Sequence, residues 1–156
     1  MSDIVAQETK NGTGVFAGHD FEKGEEVLLA KGRILRAREI AKNSYDDLHG
    51  LQIEADIFIG ASGEIDDYVN HACEPNAGYV IKGHAARLVA IKKINSGDEI
   101  TFDYSSNIND SSFHMECNCG SLHCRKTIGD FNTLPEKTKK DYIQLGIVPG
   151  YLLNRD

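Results

Sequence analysis

The most informative residues are four cysteines, three of which form the sequence CNCGSLHC as Cys117, Cys119 and Cys124. The fourth, Cys73, stands far upstream. Cysteines one residue apart are poor disulfide partners, and clustered thiols in a reducing compartment are typical metal ligands. Four thiolates fill a tetrahedral zinc site with no open position, which makes such a site structural rather than catalytic. The spacing therefore predicts a structural zinc bound by the four cysteines.

Two other interpretations of the cysteines stay open at this point. His123 is a rival fourth ligand that would give a Cys3His site, but it directly adjoins Cys124 and is poorly placed to chelate beside it. We therefore favour Cys73 as the fourth ligand. Without a metal, the four residues would be unrelated buried thiols.

Three further segments combine residues that could hold a polar ligand or carry chemistry: NGTG at residues 11–14, NHACEPN at 70–76 and EITFDY at 99–104. Each is weak alone, since Gly-x-Gly is usually a turn and Asn-His is usually surface polarity. The third segment is predicted to be a strand, and its alternation puts Phe102 and Tyr104 on one face. The ordinary interpretation of such a pair is a buried aromatic contact in a core.

The elements that position these segments are short and β-rich. Gly, Asn, Asp and Ser punctuate the chain and separate predicted strands at residues 15–17, 26–29, 53–59, 78–81, 87–91 and 99–104. Helices are predicted at residues 37–48 and 135–145, the second with Thr133 near its N-cap and Gly146 as its stop. The pattern FEKGEEV returns as INSGDEI, which predicts two similar turns before strands. The fold class is therefore mostly β with α additions.

Composition narrows the function classes. The chain has 156 residues, enough for one domain, with 17 Lys and Arg against 24 Asp and Glu, for a net charge of −7. This balance argues against direct nucleic-acid binding and favours basic partners.

The short apolar runs predict no transmembrane helix and no membrane partner. The polar start, MSDIVAQETKNG, predicts no secretory signal, so we expect a cytoplasmic protein, with the nucleus or export by a route without a signal as alternatives. The oligomeric state is left open.

In their order along the chain, NHACEPN, GDEITFDY and CNCGSLHCRKTIG resemble the motifs of SET-domain methyltransferases with a post-SET-type cysteine knuckle. The resemblance covers residues 12–129 and suggests a small free-standing protein of this family. It implies a SET-domain (β-clip-like) fold of short sheets with a C-terminal zinc knuckle and a terminal helix. On this basis we divide the chain into an N-terminal segment (1–10), a SET core (11–110), a knuckle (111–131) and a helical tail (132–156). The chain departs from the family pattern at Lys126, where Gly usually follows the Arg, and at Asp67, where an Arg is common.

The family transfers methyl groups from S-adenosylmethionine to the side-chain amine of lysine in a protein, so the resemblance implies this activity with a lysine-containing, basic protein as substrate. It implies Tyr104 as the catalytic residue and as a cofactor contact, and Phe102 and Tyr68 as walls of the substrate channel. The other cofactor-binding residues that it implies are Asn11, Gly12, Thr13, Gly14, Asn70, His71 and Phe113. Two alternatives are a zinc-stabilised interaction module with an inactive core and a methyltransferase that acts on a small amine.

Methyl transfer to lysine requires the neutral amine. With a pKa of about 10.4, roughly one lysine amine in 2,500 is neutral at pH 7, which costs about 4.6 kcal/mol. A desolvated aromatic channel and a nearby sulfonium cation both lower that pKa, so no general base is needed. We therefore assign Tyr104 to orienting the amine rather than to proton abstraction. The resemblance places Phe102 where the family has either Phe or Tyr beside the catalytic Tyr. Because Phe carries no hydroxyl to restrict the amine, the resemblance implies that methylation passes beyond the monomethyl product.

Overall fold

The computed structural model describes residues 2–153, so Met1 of the predicted N-terminal segment and residues 154–156 of the predicted tail lie outside the described residues. The strands are β1 (Ile4–Thr9), β2 (Gly12–Ala17), β3 (Glu26–Leu29), β4 (Ile34–Arg36), β5 (Leu51–Glu54), β6 (Ile57–Ile59), β7 (Asn70–His71), β8 (Ala77–Lys82), β9 (Ala85–Ala90), β10 (Glu99–Phe102), β11 (Met115–Glu116) and β12 (Thr127–Ile128). The helices are α1 (Tyr45–His49), α2 (Glu136–Leu145) and α3 (Gly150–Leu153), with single 3₁₀ turns at Ala37–Glu39, Ile65–Tyr68, Tyr104–Ser106 and Phe131–Thr133. This architecture confirms the mostly β fold class.

The strands form several small sheets rather than one large one. The four-stranded sheet has the order β1-β2-β10-β7, with β10 antiparallel to β2 and parallel to β7. Two three-stranded sheets have the orders β3-β9-β8 and β4-β6-β5, and β11 pairs with β12 beside the cysteines. None of the helices in the described part of the chain has the length and apolar character that crossing a bilayer requires.

The core lies between these sheets. Among the fully buried side chains are Val15 in β2, Leu88 in β9, Ile94 in the segment before β10, and Ile100 in β10. Burying one such side chain stabilises the fold by about 1.5–3 kcal/mol relative to leaving it exposed. This common core fixes the positions of β2 and β10, the two strands that lead into the candidate site.

The repeated sequence pattern has a structural counterpart. Phe21 and Ile94, which open the two copies, pair with each other through two backbone hydrogen bonds of 2.8 and 2.9 Å. The glycines of the copies, Gly24 and Gly97, both adopt left-handed backbone conformations with φ of 93° and 91°. The prediction of two similar turns is confirmed, and the antiparallel bridge between Phe21 and Ile94 joins them.

Two predicted elements are wrong. Residues 37–48 do not form one helix: a 3₁₀ turn is followed by Asn43 at φ 60°, and a new helix, α1, begins after its N-cap Ser44. Residues 53–59 do not form one strand, because a turn at residues 55–56 separates β5 from β6. Ala55, which the alternation put on one face with Ile53, Ile57 and Ile59, lies exposed in that turn. Local turn chemistry decided where each element ends.

The tail contains α2 as predicted, and Gly146 ends it with a left-handed φ of 74°. The helix begins after Pro135 as its N-cap residue, so the prediction of Thr133 near the cap is wrong. Thr133 belongs instead to the preceding 3₁₀ turn. The tail packs through a second apolar cluster that includes Ile147, which lies against Gly78 of β8.

Candidate active site

A cavity of about 780 Å³ opens between the β1–β2 turn, the end of β10 and the cysteine knuckle. Its size falls within the range of small-molecule and cofactor sites, roughly 300–1,000 Å³. Most of the residues that the sequence analysis assigned to cofactor or channel line it: Asn11, Gly12, Thr13, Tyr68, Asn70, His71, Phe102, Tyr104 and Phe113. Gly14 stands directly behind the lining, against Asn70.

Asn70 is held with one polar atom left for a ligand. The short parallel pairing of β7 with β10 sets Asn70 opposite Thr101. The side-chain amide of Asn70 donates to the Thr13 carbonyl at 3.2 Å and to Glu99 Oε1 at 2.9 Å. Both amide protons are therefore used, and Oδ1 has no donor in the described part of the chain. This oxygen offers an acceptor to a cationic or N–H group in the cavity.

Gly14 is required by a close approach. A Cβ on Gly14 would lie 2.5 Å from Glu99 Oε1 and 3.0 Å from Asn70 Nδ2. Contacts under 3.0 Å are not tolerated without movement of the neighbours, because packed interiors leave no spare volume. A side chain at position 14 would therefore displace the Glu99 carboxylate, which accepts a hydrogen bond from Asn70.

Tyr104 does not lie in β10, because the strand ends at Phe102 and Tyr104 begins a 3₁₀ turn. The predicted strand to residue 104 is wrong, yet the two rings still lie side by side, with centroids 4.9 Å apart. The Tyr104 hydroxyl donates to the Val69 carbonyl at 3.1 Å. Burial, together with the charge of Glu99, raises the pKa of Tyr104 to about 12. The phenol is therefore protonated at neutral pH.

His71 links Tyr104 to the cysteines. Its Nδ1 accepts the Tyr104 backbone N–H at 3.1 Å, so in the neutral ring the proton sits on Nε2, which lies 3.3 Å from Cys73 Sγ. Burial lowers the pKa of His71 to about 4, with Arg125 acting in the same direction and Asp103 against it. Because Nδ1 is an acceptor, its 3.5 Å approach to Asp103 is not an ion pair.

The aromatic wall of the cavity includes a residue that the sequence analysis missed. Tyr79 of β8 packs edge-on against Phe102, with ring centroids 4.8 Å apart, and lines the cavity. Its hydroxyl has no hydrogen-bond partner among the described residues, although every fully buried side-chain polar atom there has one. The hydroxyl is therefore reachable from the cavity. Tyr68 differs, because its hydroxyl pairs with that of Tyr45 at 3.4 Å.

The four cysteines converge as predicted. The Sγ atoms of Cys73, Cys117, Cys119 and Cys124 all lie within 4.8 Å of one another. The Cys73–Cys117 distance is 3.7 Å, close to the edge of about 3.8 Å that a ZnS4 tetrahedron with 2.3 Å bonds has. The Arg125 backbone N–H points at Cys73 Sγ at 3.4 Å, which favours a thiolate there. The donor set fits a structural zinc.

His123 takes no part in this cluster. It is exposed, and its Nδ1 lies 3.0 Å from Glu74 Oε1, so it pairs the knuckle with the NHACEPN segment from outside. Phe113, a cofactor-binding residue according to the resemblance, lines the cavity and also packs against the cysteine cluster.

The charged groups that line the cavity all favour cations. Five acidic residues are among those that line it, and within residues 2–153 no Lys or Arg is; the five are Asp47, Asp66, Asp67, Asp110 and Glu116. A cleft lined by one sign of charge concentrates ligands of the opposite sign. The cavity is therefore suited to positively charged ligands.

The two departures from the family pattern have distinct structural outcomes. Lys126 adopts φ 67°, a left-handed conformation that strains a non-glycine residue, at the position where the family usually has Gly. Asp67 accepts backbone N–H groups from Ser62 at 2.8 Å and Gly63 at 2.7 Å, so its carboxylate orders the loop before the site.

The residues that sequence reasoning missed are Glu99, Asp103 and Tyr79. Both acids lie inside the EITFDY segment. Asp103 is buried and Glu99 half-buried, and each could have been found by asking which donors satisfy a carboxylate inside a strand segment. Tyr79 carried no local signal, because its role depends on the contact between β8 and β10.

The SET domain family model matches residues 12–105. Among curated proteins, the chain is 32% identical over 142 residues to the variant-silencing SET domain-containing protein of Plasmodium falciparum, covering 80% of this chain and 6% of that protein. It is 33% identical over 146 residues to histone-lysine N-methyltransferase mes-4 of Caenorhabditis elegans, covering 76% of this chain and 16% of that protein. The chain thus spans a small part of these relatives.

Solved structures agree in fold. The crystal structure of KRYPTONITE in complex with mCHG DNA and SAH has a TM-score of 0.66 at 23% identity, covering 80% of this chain and 28% of that one. The methyltransferase domain of human histone-lysine N-methyltransferase SETMAR gives a TM-score of 0.66 at 20% identity, covering 81% of this chain and 58% of that one. The match to the SET domain family model covers more than half of this chain. The chain therefore belongs to the SET domain family.

Proposed function

We propose that this protein transfers methyl groups from S-adenosylmethionine to the side-chain amine of lysine in a protein. The observation that carries the proposal is the position of Tyr104, whose protonated phenol lies beside Phe102 in a cavity that also contains Asn70 and the β1–β2 turn. Relatives named as histone-lysine methyltransferases, such as mes-4, support the same activity.

S-adenosylmethionine fits the chemistry of the residues present, and when bound it supplies the methyl group on a sulfonium cation. Asn70 Oδ1 would accept from the ammonium of its methionine moiety, and the close packing around Gly14 would hold the β1–β2 turn against it. The acidic residues that line the cavity attract both the sulfonium and the ammonium of the cofactor. The KRYPTONITE structure was solved with SAH, the demethylated form of such a cofactor. In this chain, zinc bound by the four cysteines would fasten the knuckle beside this site.

The residues of the chain perform three tasks in the proposed reaction. Phe102, Tyr79 and Tyr104 exclude water from the lysine stem, which lowers the pKa of its amine by desolvation. The Tyr104 hydroxyl orients the amine, and positioning of this kind supplies several kcal/mol of barrier reduction. With a pKa of about 12, Tyr104 is not a base at neutral pH.

The cavity supports a basic protein segment as substrate, since the described residues that line it include five acidic ones and no Lys or Arg. A neighbouring structure of KRYPTONITE contains an H3(1–15) peptide, which belongs to this chemical class, together with DNA. For this chain, of net charge −7, the absence of direct nucleic-acid binding stays a prediction.

We further propose that methylation passes beyond the monomethyl product, because Phe102 leaves the amine free to rotate as methyl groups accumulate. Phe102→Tyr should shift the product towards mono- or dimethyl-lysine, as read by mass spectrometry of an exhaustively reacted peptide. If the wild type stops at one methyl, the free hydroxyl of Tyr79 is the alternative restriction, and Tyr79→Phe should then release it.

Incubation of the purified protein with radiolabelled S-adenosylmethionine and a panel of basic proteins, such as core histones and ribosomal proteins, tests the function. Label should enter a lysine of at least one protein with the wild type and fall to background with Tyr104→Phe. Glu26→Gln, which changes an exposed carboxylate outside the cavity lining, is the control and should keep full activity. Cofactor binding without transfer to any protein would contradict the proposal.

A further inference from the structure

The tail lies outside the matched SET segment, and one of its contacts with the site is made through a buried carboxylate. Asp103 has a fully buried side chain and immediately precedes Tyr104. Its Oδ1 accepts from Arg125 at 2.8 Å and from the Ser105 backbone N–H at 3.0 Å. Its Oδ2 accepts from the hydroxyl of Tyr142, in α2, at 2.8 Å. Among the described residues, Tyr142 is the one donor to Oδ2.

The Asp103 carboxylate determines where the chain turns after β10. As the N-cap of the 3₁₀ turn, Asp103 binds the Ser105 N–H through its side chain and the Ser106 N–H through its carbonyl at 2.9 Å. Tyr104 is the first residue of that turn, so a rotation of Asp103 moves the Tyr104 backbone and with it the N–H that His71 accepts. A hydrogen bond to a charged acceptor is stronger than one between neutral groups, and a buried carboxylate that loses a donor relaxes towards another.

We propose that Tyr142 is a positioning residue for Tyr104: its hydroxyl fixes Oδ2 of Asp103, and the tail thereby completes the active site that the SET core begins. Tyr142 touches neither the cavity nor the cysteine cluster, and it acts through Asp103 alone. The kinetic consequence rests on the proposed function, whereas the structural consequence does not.

Tyr142→Phe tests the inference, with Ile147→Val as the control for docking of the tail. Ile147 also joins the tail to the core, by packing against Gly78 of β8, and it contributes no hydrogen bond to Asp103 or to the turn at Tyr104–Ser106. Hydrogen exchange of the Tyr104 and Ser105 amides is measured in both variants and compared with that of Leu88, a fully buried residue of β9. In Tyr142→Phe we expect about tenfold faster exchange at residues 104 and 105 and unchanged exchange at Leu88.

The kinetic arm uses the same two variants. Tyr142→Phe should lower kcat by about tenfold with the cofactor Kd within twofold of wild type, whereas Ile147→Val should leave kcat within twofold. Equal effects of the two variants, or faster exchange at Leu88 as well, would show that Tyr142 only docks the tail and would overturn the inference. A wild type inactive on every protein would contradict the proposed function, and the exchange arm would still decide the role of Tyr142.

Discussion

Replacement of Tyr104 by Phe should remove most turnover while leaving the shape of the pH–rate profile unchanged. The ring would keep its contacts with Phe102 and His71, whose centroids lie 4.9 and 5.2 Å away. Only the hydroxyl, which now donates to the Val69 carbonyl, is lost. The variant therefore separates the packing of the residue from its polar function.

The magnitude follows from the pKa of Tyr104, which burial raises to about 12. At pH 7 about one molecule in 100,000 would carry the phenolate, and reaching it would cost about 7 kcal/mol at 1.36 kcal/mol per unit. A base mechanism would have to overcome that cost, so the hydroxyl acts as an oriented neutral group. Losing one oriented polar group in an active site costs about 10²–10³-fold in kcat.

The assay measures kcat/KM for wild type and Tyr104→Phe from pH 7 to 9.5, with the cofactor Kd determined separately. Both curves should rise in parallel as the substrate lysine deprotonates, and the Kd should change by no more than a few-fold. Because the pKa of Tyr104 is raised in the folded protein, its contribution to stability is present below pH 10 and is lost as the pH rises towards 12. The range therefore stays below pH 10. Full activity in the variant, or loss of an inflection that the wild type shows, would refute the reasoning.

Three further predictions test the cavity and the cysteine knuckle. Gly14→Ala should weaken cofactor binding at least about tenfold by calorimetry, since its Cβ would lie 2.5 Å from Glu99 Oε1. Gly150→Ala adds a Cβ in open space and should leave the affinity unchanged. Equal affinities of the two variants would contradict the packing argument. Cys73→Ser should lower the zinc content measured by metal analysis and weaken cofactor binding; stoichiometric zinc in this variant would make His123 the fourth ligand. Lys126→Gly should stabilise the protein by about 1 kcal/mol in urea unfolding, because it relieves a left-handed φ of 67°, and a loss of stability would show that the conformation carries no strain.

Sequence reasoning succeeded where chemistry is encoded by residue type and order. The four cysteines, with Cys73 preferred to His123, needed only the rule that adjacent residues chelate poorly together, and their sulfur atoms do converge. The strand at Glu26–Leu29 and the stop of α2 at Gly146 also followed from local patterns. In each case the deciding interaction is short-range or depends on residue identity alone.

Sequence reasoning failed where a single backbone conformation or a distant contact decides. Asn43 interrupts an otherwise plausible helix with a left-handed φ, and the N-cap pattern of Ser44 and Asp47 that follows it was outweighed by the apolar spacing of residues 37–48. β1 was not predicted, because its alternation is weak and its partner β2 supplies the pairing. The contacts of Tyr79 with Phe102 and of Tyr142 with Asp103 join elements far apart in sequence, and no local pattern encodes them.

The cysteine cluster and the candidate cofactor site depend on each other because the strands that join them are very short. β7, β11 and β12 have two residues each, and such pairings are marginal without support. Cys73 follows β7 after one residue, so a metal held by Cys73 and the knuckle would also hold Asn70 and His71 in register with β10. Structural zinc contributes about 10–16 kcal/mol in small zinc-finger peptides, far more than two-residue strands supply. Cofactor affinity should therefore follow zinc occupancy, even though the metal contacts no reacting group.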